Sequence, residues 1–133
     1  MQLNKFRAWY KPDNRFISFY ECGFHMWENG QIYSGGMNIT DRIILLPFTG
    51  FHDDSDNECE LYKGSIVELD YESYKHVCEI KYEGCGFMFV SDSLPDGFIW
   101  VSEVIEFDNN YCWAKGTKLI GNNYENADLL QGV

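Results

Sequence analysis

The sequence predicts a mainly β protein built from short antiparallel strands, either a small SH3-like barrel or a β-sandwich, with an N-terminal β-hairpin region and little helix. Two observations carry this prediction. Aromatic residues make up 17% of the 133 residues, and aromatic side chains favour the pleated, half-buried surface of a strand. Short apolar runs also recur at close spacing between glycine and proline turns, which is typical of small barrels and sandwiches.

The first predicted element is an N-terminal β-hairpin. Residues 6–10 and 16–20 are aromatic-rich runs, and the Lys-Pro-Asp-Asn segment between them has the proline and Asx residues of a tight turn. A less regular stretch punctuated by glycines follows. Residues 43–48 then form a compact apolar run that ends at Pro47 and Gly50, which predicts a buried strand.

The second half of the chain is more clearly periodic. Apolar residues alternate with acidic ones over residues 67–71 and with charged ones over residues 78–83. Each run is therefore expected to have one solvent-exposed face. We expect residues 72–75 to turn between them, which gives a second hairpin. Further strands are predicted at residues 87–90 and 98–101, each entered through a glycine-containing turn.

Helical signal is confined to two single turns, at residues 58–62 and 126–130, and neither is long enough to be stable without packing. A chain of 133 residues suits one domain with one core. The alternative is two small β subdomains, about residues 1–55 and 56–133, that share one core. The charge balance changes sign near that boundary.

The charge is concentrated in the second half of the chain. Residues 1–50 have five Lys and Arg against four Asp and Glu, whereas residues 51–133 have five Lys against seventeen, so net charges of +1 and −12 give the total of −11. Phosphate backbones are bound by clustered Lys and Arg, so the acidic half is a poor match for nucleic acid. Arg7, Lys11 and Arg15 are interpreted as charges that guard a hairpin edge.

The five cysteines, Cys22, Cys59, Cys78, Cys85 and Cys112, include no Cys-x-x-Cys pair. The N-terminus lacks the apolar region of a secretory signal, and no apolar run is long enough to span a bilayer. These features predict free thiols in a reducing cytoplasm and no membrane partner.

The candidate sites are each better explained by structure than by chemistry. The acidic loop at residues 53–58 resembles a calcium loop, but it lacks the glycine at the sixth position, and Ser65 stands twelfth from Asp54. Cys22 and His25 have no second ligand pair at zinc-finger distance. His52 and His76 are isolated in the sequence. Since no phosphate loop or serine elbow is present, we predict no enzyme and no catalytic, metal-binding or cofactor-binding residue.

Three motifs that run from residue 6 to residue 130 resemble the YopX-like family of phage and prophage proteins. They are Phe6-Arg7-Ala8-Trp9, then Phe48-Thr49-Gly50 with Leu61-Tyr62-Lys63-Gly64-Ser65-Ile66-Val67, and Ile120-Gly121-Asn122-Asn123-Tyr124-Glu125-Asn126-Ala127-Asp128-Leu129-Leu130. The chain departs from the family pattern at Tyr10 and Ser65, where the family has Asp, and its loop lacks an Asn-Gly pair. The resemblance implies a mainly β protein encoded by phages or integrated elements, and it carries over no catalytic residue.

The middle motif also has a physical interpretation. Gly64 provides a flexible entry into the strand that begins near Ile66, and we expect Leu61 and Tyr62 to fill the end of the barrel that this strand begins. The motif is therefore interpreted as part of the fold.

The function predicted from these observations is a noncatalytic protein-interaction module, an accessory protein in the cytoplasm of a bacterial host cell. Its expected partner is a protein, either a host target or a further copy of itself. Two alternatives stay open. One is a single-stranded nucleic-acid-binding β-barrel whose aromatic side chains stack on bases. The other is an acidic nucleic-acid mimic that inhibits a host DNA-binding protein.

Overall fold

The structure is a computed structural model that describes residues 5–109 and 111–131. The described chain divides into two compact units, an N-terminal unit of residues 5–47 and a C-terminal unit that begins at Phe48. The strands in chain order are β1 (Phe6–Tyr10), β2 (Arg15–Ile17), β3 (His25–Met26), β4 (Ile32–Ser34), β5 (Met37–Asn38), β6 (Ile43–His52), β7 (Glu60–Tyr62), β8 (Ser65–Tyr71), β9 (Tyr74–Glu83), β10 (Gly86–Val90), β11 (Phe98–Trp100), β12 (Ile105–Phe107), β13 (Cys112–Ala114) and β14 (Thr117–Asn122).

The N-terminal unit consists of a β-hairpin and a small three-stranded sheet. Strand β1 pairs antiparallel with β2 on one side and with the first half of β6 on the other, and β3, β4 and β5 form an antiparallel meander. The buried core of this unit contains Ala8, Ile32, Ile39 and Ile43.

The predicted N-terminal hairpin is confirmed, although its second strand ends at Ile17 and not at residue 20. A four-residue helix, α1 (Phe19–Cys22), follows and ends at Gly23 in the left-handed conformation. The ring of Phe19 packs edge-on against Phe6 and Phe24 at centroid distances of 5.5 and 5.9 Å. These aromatic contacts favour a turn of helix at this point over continuation of the strand.

The C-terminal unit contains the larger core. A five-stranded antiparallel sheet has the order β11-β10-β9-β8-β14, and the second half of β6 pairs with β7 and, in parallel, with β13, whose other neighbour is β12. The apolar residues that lose all solvent contact are Leu61, Ile66, Val67, Leu69, Cys78, Ile80, Phe89 and Ala114. Most of them lie on β8, β9 and β10.

The predicted second hairpin is confirmed as β8 and β9, with a tighter turn than expected. Tyr71 pairs with Tyr74, so the turn is only Glu72 and Ser73, with φ values of 51° and 72°. Two consecutive positive φ angles match the twist of the flanking strands.

Two local predictions need correction. Residues 58–62 contain strand β7 and not a helical turn, because residues 60–62 pair with β6 and Leu61 is fully buried. The strand predicted at residues 43–48 continues through Pro47 and Gly50 to His52. Pro47 lies opposite Phe6, the first residue of β1, at the end of the β1–β6 ladder. The second predicted helical turn is present as a short 3-10 helix, Ala127–Leu130.

The prediction of a mainly β fold made of short antiparallel strands is confirmed. Among the described residues the sheets do not close into a barrel, since the five-stranded sheet has β11 and β14 as separate edges. Open antiparallel sheets of this kind are compatible with a small β-sandwich. The expectation that the chain shares one core stays a prediction. No helix within residues 5–109 and 111–131 is long and apolar enough to cross a membrane.

Candidate functional site

The candidate site is an apolar cleft of about 520 Å³ in the C-terminal unit. Four segments that are distant in the sequence line it. They come from β6, from the β9–β10 turn, from the β11–β12 connection and from the start of β13, and the lining residues are Thr49, Gly50, Phe51, Cys85, Gly86, Phe87, Trp100, Val101, Ser102, Ile105, Phe107 and Cys112. We call this feature the apolar cleft.

One wall of the apolar cleft depends on a bulge in β6. Phe48 pairs with Tyr62 and His52 pairs with Glu60, so three residues of β6 lie opposite Leu61 alone. Gly50, at the centre of the bulge, has a φ of +93° that favours glycine. The Thr49 hydroxyl donates a hydrogen bond of 2.6 Å to the Leu61 carbonyl and accepts one from the Phe51 amide at 3.3 Å, which fixes the bulge.

The opposite wall depends on close contact between Gly86 and Trp100. A Cβ atom at Gly86 would lie 3.6 Å from the Trp100 ring, so the indole covers this part of β10 in ordinary van der Waals contact. The Trp100 amide donates a hydrogen bond of 3.0 Å to the Glu103 carboxylate. That bond holds the start of the 3-10 helix Val101–Glu103, which joins β11 to β12.

Aromatic rings form the interior and the rim of the apolar cleft. Phe51 is buried, and its ring packs edge-on against Phe87 at 6.4 Å and 83°. At the rim, Trp100 is 36% exposed and Phe107 is 77% exposed, the largest exposure of any large apolar side chain among the described residues. Apolar surface of this kind at a concave site is typical of a place where another molecule binds.

The thiols of Cys85 and Cys112 contribute to the lining, and Cys85 is exposed. Burial raises the pKa of the Cys112 thiol, so the neutral form predominates at neutral pH. A nucleophilic cysteine needs a lowered pKa. The His52 ring lies near Cys112, but its Nδ1 atom is 3.4 Å from the carbonyl oxygen of that residue. The contact therefore joins the His52 ring to the backbone of Cys112 and not to its thiol.

Three acidic residues are neighbours of residues that line the apolar cleft. Glu83 pairs with Gly86 across the β9–β10 turn, and Glu106 and Asp108 flank Phe107. All three acidic residues are exposed. Lys115 approaches Glu106 at 3.5 Å, and both partners are solvated, so this ion pair contributes little to stability.

The carboxylates of Asp53 and Asp54 in the acidic loop accept hydrogen bonds from the protein. Asp53 is only 2% exposed, and its Oδ1 atom accepts hydrogen bonds from the Ser55 hydroxyl and from the amides of Ser55 and Cys59 at 2.8, 3.2 and 2.9 Å. Its Oδ2 atom accepts the Leu119 amide at 2.9 Å. The carboxylate of Asp54 accepts the Gly116 amide at 2.8 Å. The loop is therefore a structural connection to β14 and to the turn before it.

The remaining candidate residues also have structural roles. His76 is 7% exposed, and its Nδ1 atom is 2.7 Å from the Ser93 hydroxyl, so it ties β9 to the turn before β11. Cys22 ends α1 and His25 begins β3. No group of three or more His, Cys, Asp or Glu side chains in the described part of the chain could hold a metal ion. Arg7 stacks over the Phe16 ring at 3.7 Å.

The middle and last sequence motifs meet in the C-terminal unit. The Ser65 hydroxyl accepts the Tyr62 amide at 3.0 Å, so serine closes this turn where the family pattern has Asp. Ser65 pairs with Asn122 across β8 and β14, and a Cβ at Gly64 would lie 3.3 Å from the Tyr124 ring. The side-chain oxygen of Asn122 accepts the amides of Tyr124 and Glu125. These motif residues build the fold.

The fold defines the class of this protein: it is a mainly β protein of several antiparallel sheets. The comparisons with known proteins agree with this class. The family model described as YopX protein matches residues 5–131, so the chain belongs to the YopX family. The chain is similar to protein EF1440 from Enterococcus faecalis, with a TM-score of 0.58, 20% identity and coverage of 96% of this chain and 97% of that one. It is also similar to protein yopX from Bacillus subtilis, with a TM-score of 0.58, 18% identity and coverage of 98% and 100%. The comparison with curated proteins returned no match.

Proposed function

We propose that this chain is a noncatalytic protein-interaction module that binds a protein partner through the apolar cleft. The observation that supports the proposal is the exposure of Trp100 and Phe107, at 36% and 77%, on the rim of a concave apolar site. Aromatic anchors of this kind supply much of the binding energy at protein interfaces. The lining consists mainly of rings and aliphatic groups, which suit desolvation and packing better than acid–base chemistry.

The proposed setting is that of an accessory protein encoded by a phage or an integrated element and active in the cytoplasm of the bacterial host. Support comes from the family resemblance and from the five cysteines, which are all free thiols. The partner is a host protein or a second copy of this chain. A single-stranded nucleic acid fits this surface poorly, because the lining residues of the cleft include no Lys or Arg and residues 51–133 carry a net charge of −12.

Site-specific photocrosslinking in host cells tests this proposal. A photoreactive phenylalanine analogue is placed at Phe107, and a matched control chain carries it at Tyr74, which is 72% exposed and lies outside the cleft. We expect a discrete crosslinked protein, either a host protein or another copy of the chain, only with the probe at position 107. Equal crosslinking from both positions, or none from either, would refute the proposal.

A second candidate function is the acidic nucleic-acid mimic. It is favoured by a separate depression of about 530 Å³ lined by Asp54, Asp70, Glu103 and Glu106, with Lys115 as its cation. A mimic would bind the basic surface of a host DNA-binding protein, so its capture should be lost at high salt. Capture should also be unaffected by Phe107→Ser. Partners that are indifferent to salt would exclude this function.

A further inference from the structure

Building on the proposed function, we infer that the apolar cleft binds an extended, basic segment of the partner protein. The segment adds as a strand to the edge of β12 and places one apolar side chain in the cleft, between Trp100 and Phe107. Lysine or arginine side chains on either side of this anchor point to the other face of β12, where Glu106 lies with the carboxylates of the neighbouring depression. Three independent features of the C-terminal unit support this inference.

The first feature is the pair of strand edges beside the cleft. Among the described residues, β12 pairs with β13 alone and β11 pairs with β10 alone, so each is the edge of its sheet. Trp100 ends β11, while Ile105 and Phe107 lie on β12, and all three line the cleft. An edge strand presents backbone N–H and C=O groups that an extended peptide can pair with.

The second feature is the apolar interior beside those edges. Along an added strand, alternate side chains point to the same face, so a residue next to the β12 edge can direct its side chain towards Ile105 and Phe51. Phe51 is held by the β6 bulge and by the edge-on contact with Phe87. A rigid aromatic wall lowers the entropy cost of binding an aliphatic or aromatic anchor.

The third feature is charge complementarity. Glu106 lies between Ile105 and Phe107 on β12, so its side chain points to the other face of the strand. There it lines a depression with Asp54, Asp70 and Glu103 and approaches Lys115 at 3.5 Å. The residues on either side of the anchor in an added strand point to this same face. Residues 51–133 as a whole carry a net charge of −12, from five Lys and seventeen Asp and Glu. Such a field attracts cationic segments and repels acidic ones. An apolar anchor with basic neighbours is therefore the chemistry that this surface selects.

Selection from a library of short random peptides, displayed against the full-length chain, tests the chemistry of the occupant. We expect enrichment of peptides that have an aliphatic or aromatic residue flanked by lysine or arginine. The best enriched peptide should bind Phe107→Ser about tenfold more weakly than the parent chain, and Tyr74→Ser with unchanged affinity. Enrichment without a basic bias, or equal binding to both variants, would overturn the inference.

A charge reversal separates local from overall electrostatics. Glu106→Lys and Asp92→Lys change the net charge equally, and Asp92 is exposed on the turn before β11, outside the cleft. We expect Glu106→Lys to weaken the selected peptide several-fold and Asp92→Lys to have a much smaller effect. Equal losses would contradict binding beside β12.

N-methylation of the peptide backbone tests strand addition. Amides at alternate positions of an added strand point towards β12 and the others point to solvent. Methylation of one alternating set should abolish binding, whereas methylation of the other set should leave it intact. If both sets are tolerated, the peptide does not pair with the edge and the inference is wrong.

Failure of this inference is distinguishable from failure of the proposed function. If crosslinking at position 107 captures a protein but the selected peptides show no basic bias, the cleft binds a partner of different chemistry. In that case the proposed function stands and the inference falls. If crosslinking and peptide selection both give nothing, both are refuted.

Discussion

Asp53 fixes a loop that the sequence marks only as acidic. Its carboxylate is buried, and four hydrogen bonds from Ser55, Cys59 and Leu119 compensate for the lost water. The neighbouring Asp56 is exposed. Two carboxylates in one loop therefore have different roles, because only one of them accepts hydrogen bonds from β14.

We predict that Asp53→Asn destabilises the fold by about 2 kcal/mol or more. An amide group has one acceptor oxygen, so its NH₂ would face either the Leu119 amide or the donors of the loop, and hydrogen bonds to charged groups contribute roughly 1.5–3 kcal/mol. Urea unfolding measures the effect. Asp56→Asn removes the same charge from the same loop and should change stability by less than about 0.5 kcal/mol. Equal effects would contradict the role assigned to Asp53.

Glu79 provides a prediction on pH. Burial raises the pKa of its carboxyl group above the ordinary value of 4.5, although Lys81 acts in the opposite direction. A raised pKa in the folded state means that the protonated form favours folding, so this contribution is present at low pH and is lost as the pH rises through the raised pKa. The ionised form therefore weakens the fold at neutral pH.

We expect Glu79→Gln to increase the free energy of unfolding at pH 7 and to change it little at pH 4, as measured by urea unfolding at both values. Glu83→Gln is the control, since it removes the same charge from an exposed position on the same strand. If both variants gained the same free energy of unfolding at pH 7, the effect would come from the overall charge and not from the burial of Glu79.

At the scale of the element, glycine-led turns join β7, β8 and β14. Gly64 has a φ of +90°, its amide donates to the Ile80 carbonyl at 2.8 Å, and its carbonyl accepts the Asn123 amide at 2.8 Å. The Tyr124 ring lies 3.3 Å from the position that a Cβ atom at residue 64 would occupy. Gly97 has a similar φ of +85°, and no atom lies within 4 Å of its would-be Cβ.

We predict that Gly64→Ala destabilises the chain more than Gly97→Ala does. Both substitutions carry the strain of a left-handed backbone, roughly 1–2 kcal/mol, but only Gly64→Ala also displaces Tyr124 from a 3.3 Å contact. Thermal unfolding of the two variants measures the difference. If Gly97→Ala were the more costly change, the contact with Tyr124 would not explain why glycine is needed at position 64.

Some of these strands were predictable from the sequence and others were not. The difference depends on whether the residues that identify a strand are neighbours in the sequence. Strands β8 and β9 were predictable, because alternation over many residues and a short turn are local properties. Strand β7 was wrongly predicted as helix, since three residues become a strand only by pairing with β6. The meander of β3, β4 and β5 was not predicted, for its strands have only two or three residues each.

The apolar cleft was not predicted either. Its lining comes from residues 49–51, 85–87, 100–107 and 112, which approach one another only in the folded sheets. Sequence alone also gives no sign that Phe107 is exposed while Phe51 is buried. The local signals that existed were Gly50 inside an apolar run and Gly86 at the start of a strand, where a small residue often marks a bulge or a close approach.

At the scale of the whole molecule, the expected single cooperative domain can be tested with one reporter in each unit. Trp9 is 5% exposed in the N-terminal unit, and Cys78 is fully buried in the C-terminal unit, where burial raises the pKa of its thiol to about 12. Thiol reagents react with the thiolate. Cys78 should therefore be labelled only after unfolding, whereas the exposed Cys85 should react at once.

We predict that Cys78 labelling and Trp9 fluorescence, the latter in a variant with the other three tryptophans replaced by phenylalanine, show the same urea midpoint. Coincident transitions are the expected behaviour of one domain with a shared core. Cys85 labelling, which should not depend on urea, controls for effects on the reagent. Two separated midpoints would mean that residues 5–47 and the C-terminal unit unfold independently.

Strand β6 limits how this chain can be divided in the laboratory. The boundary between the units falls between Pro47 and Phe48, in the middle of a strand that runs from Ile43 to His52. A chain cut at that boundary would end one piece on the residue that pairs with Phe6 and begin the other on the residue that pairs with Tyr62. Each piece would carry a truncated strand with new ends, so fragments for expression or isotope labelling are better designed with all of β6 retained in both.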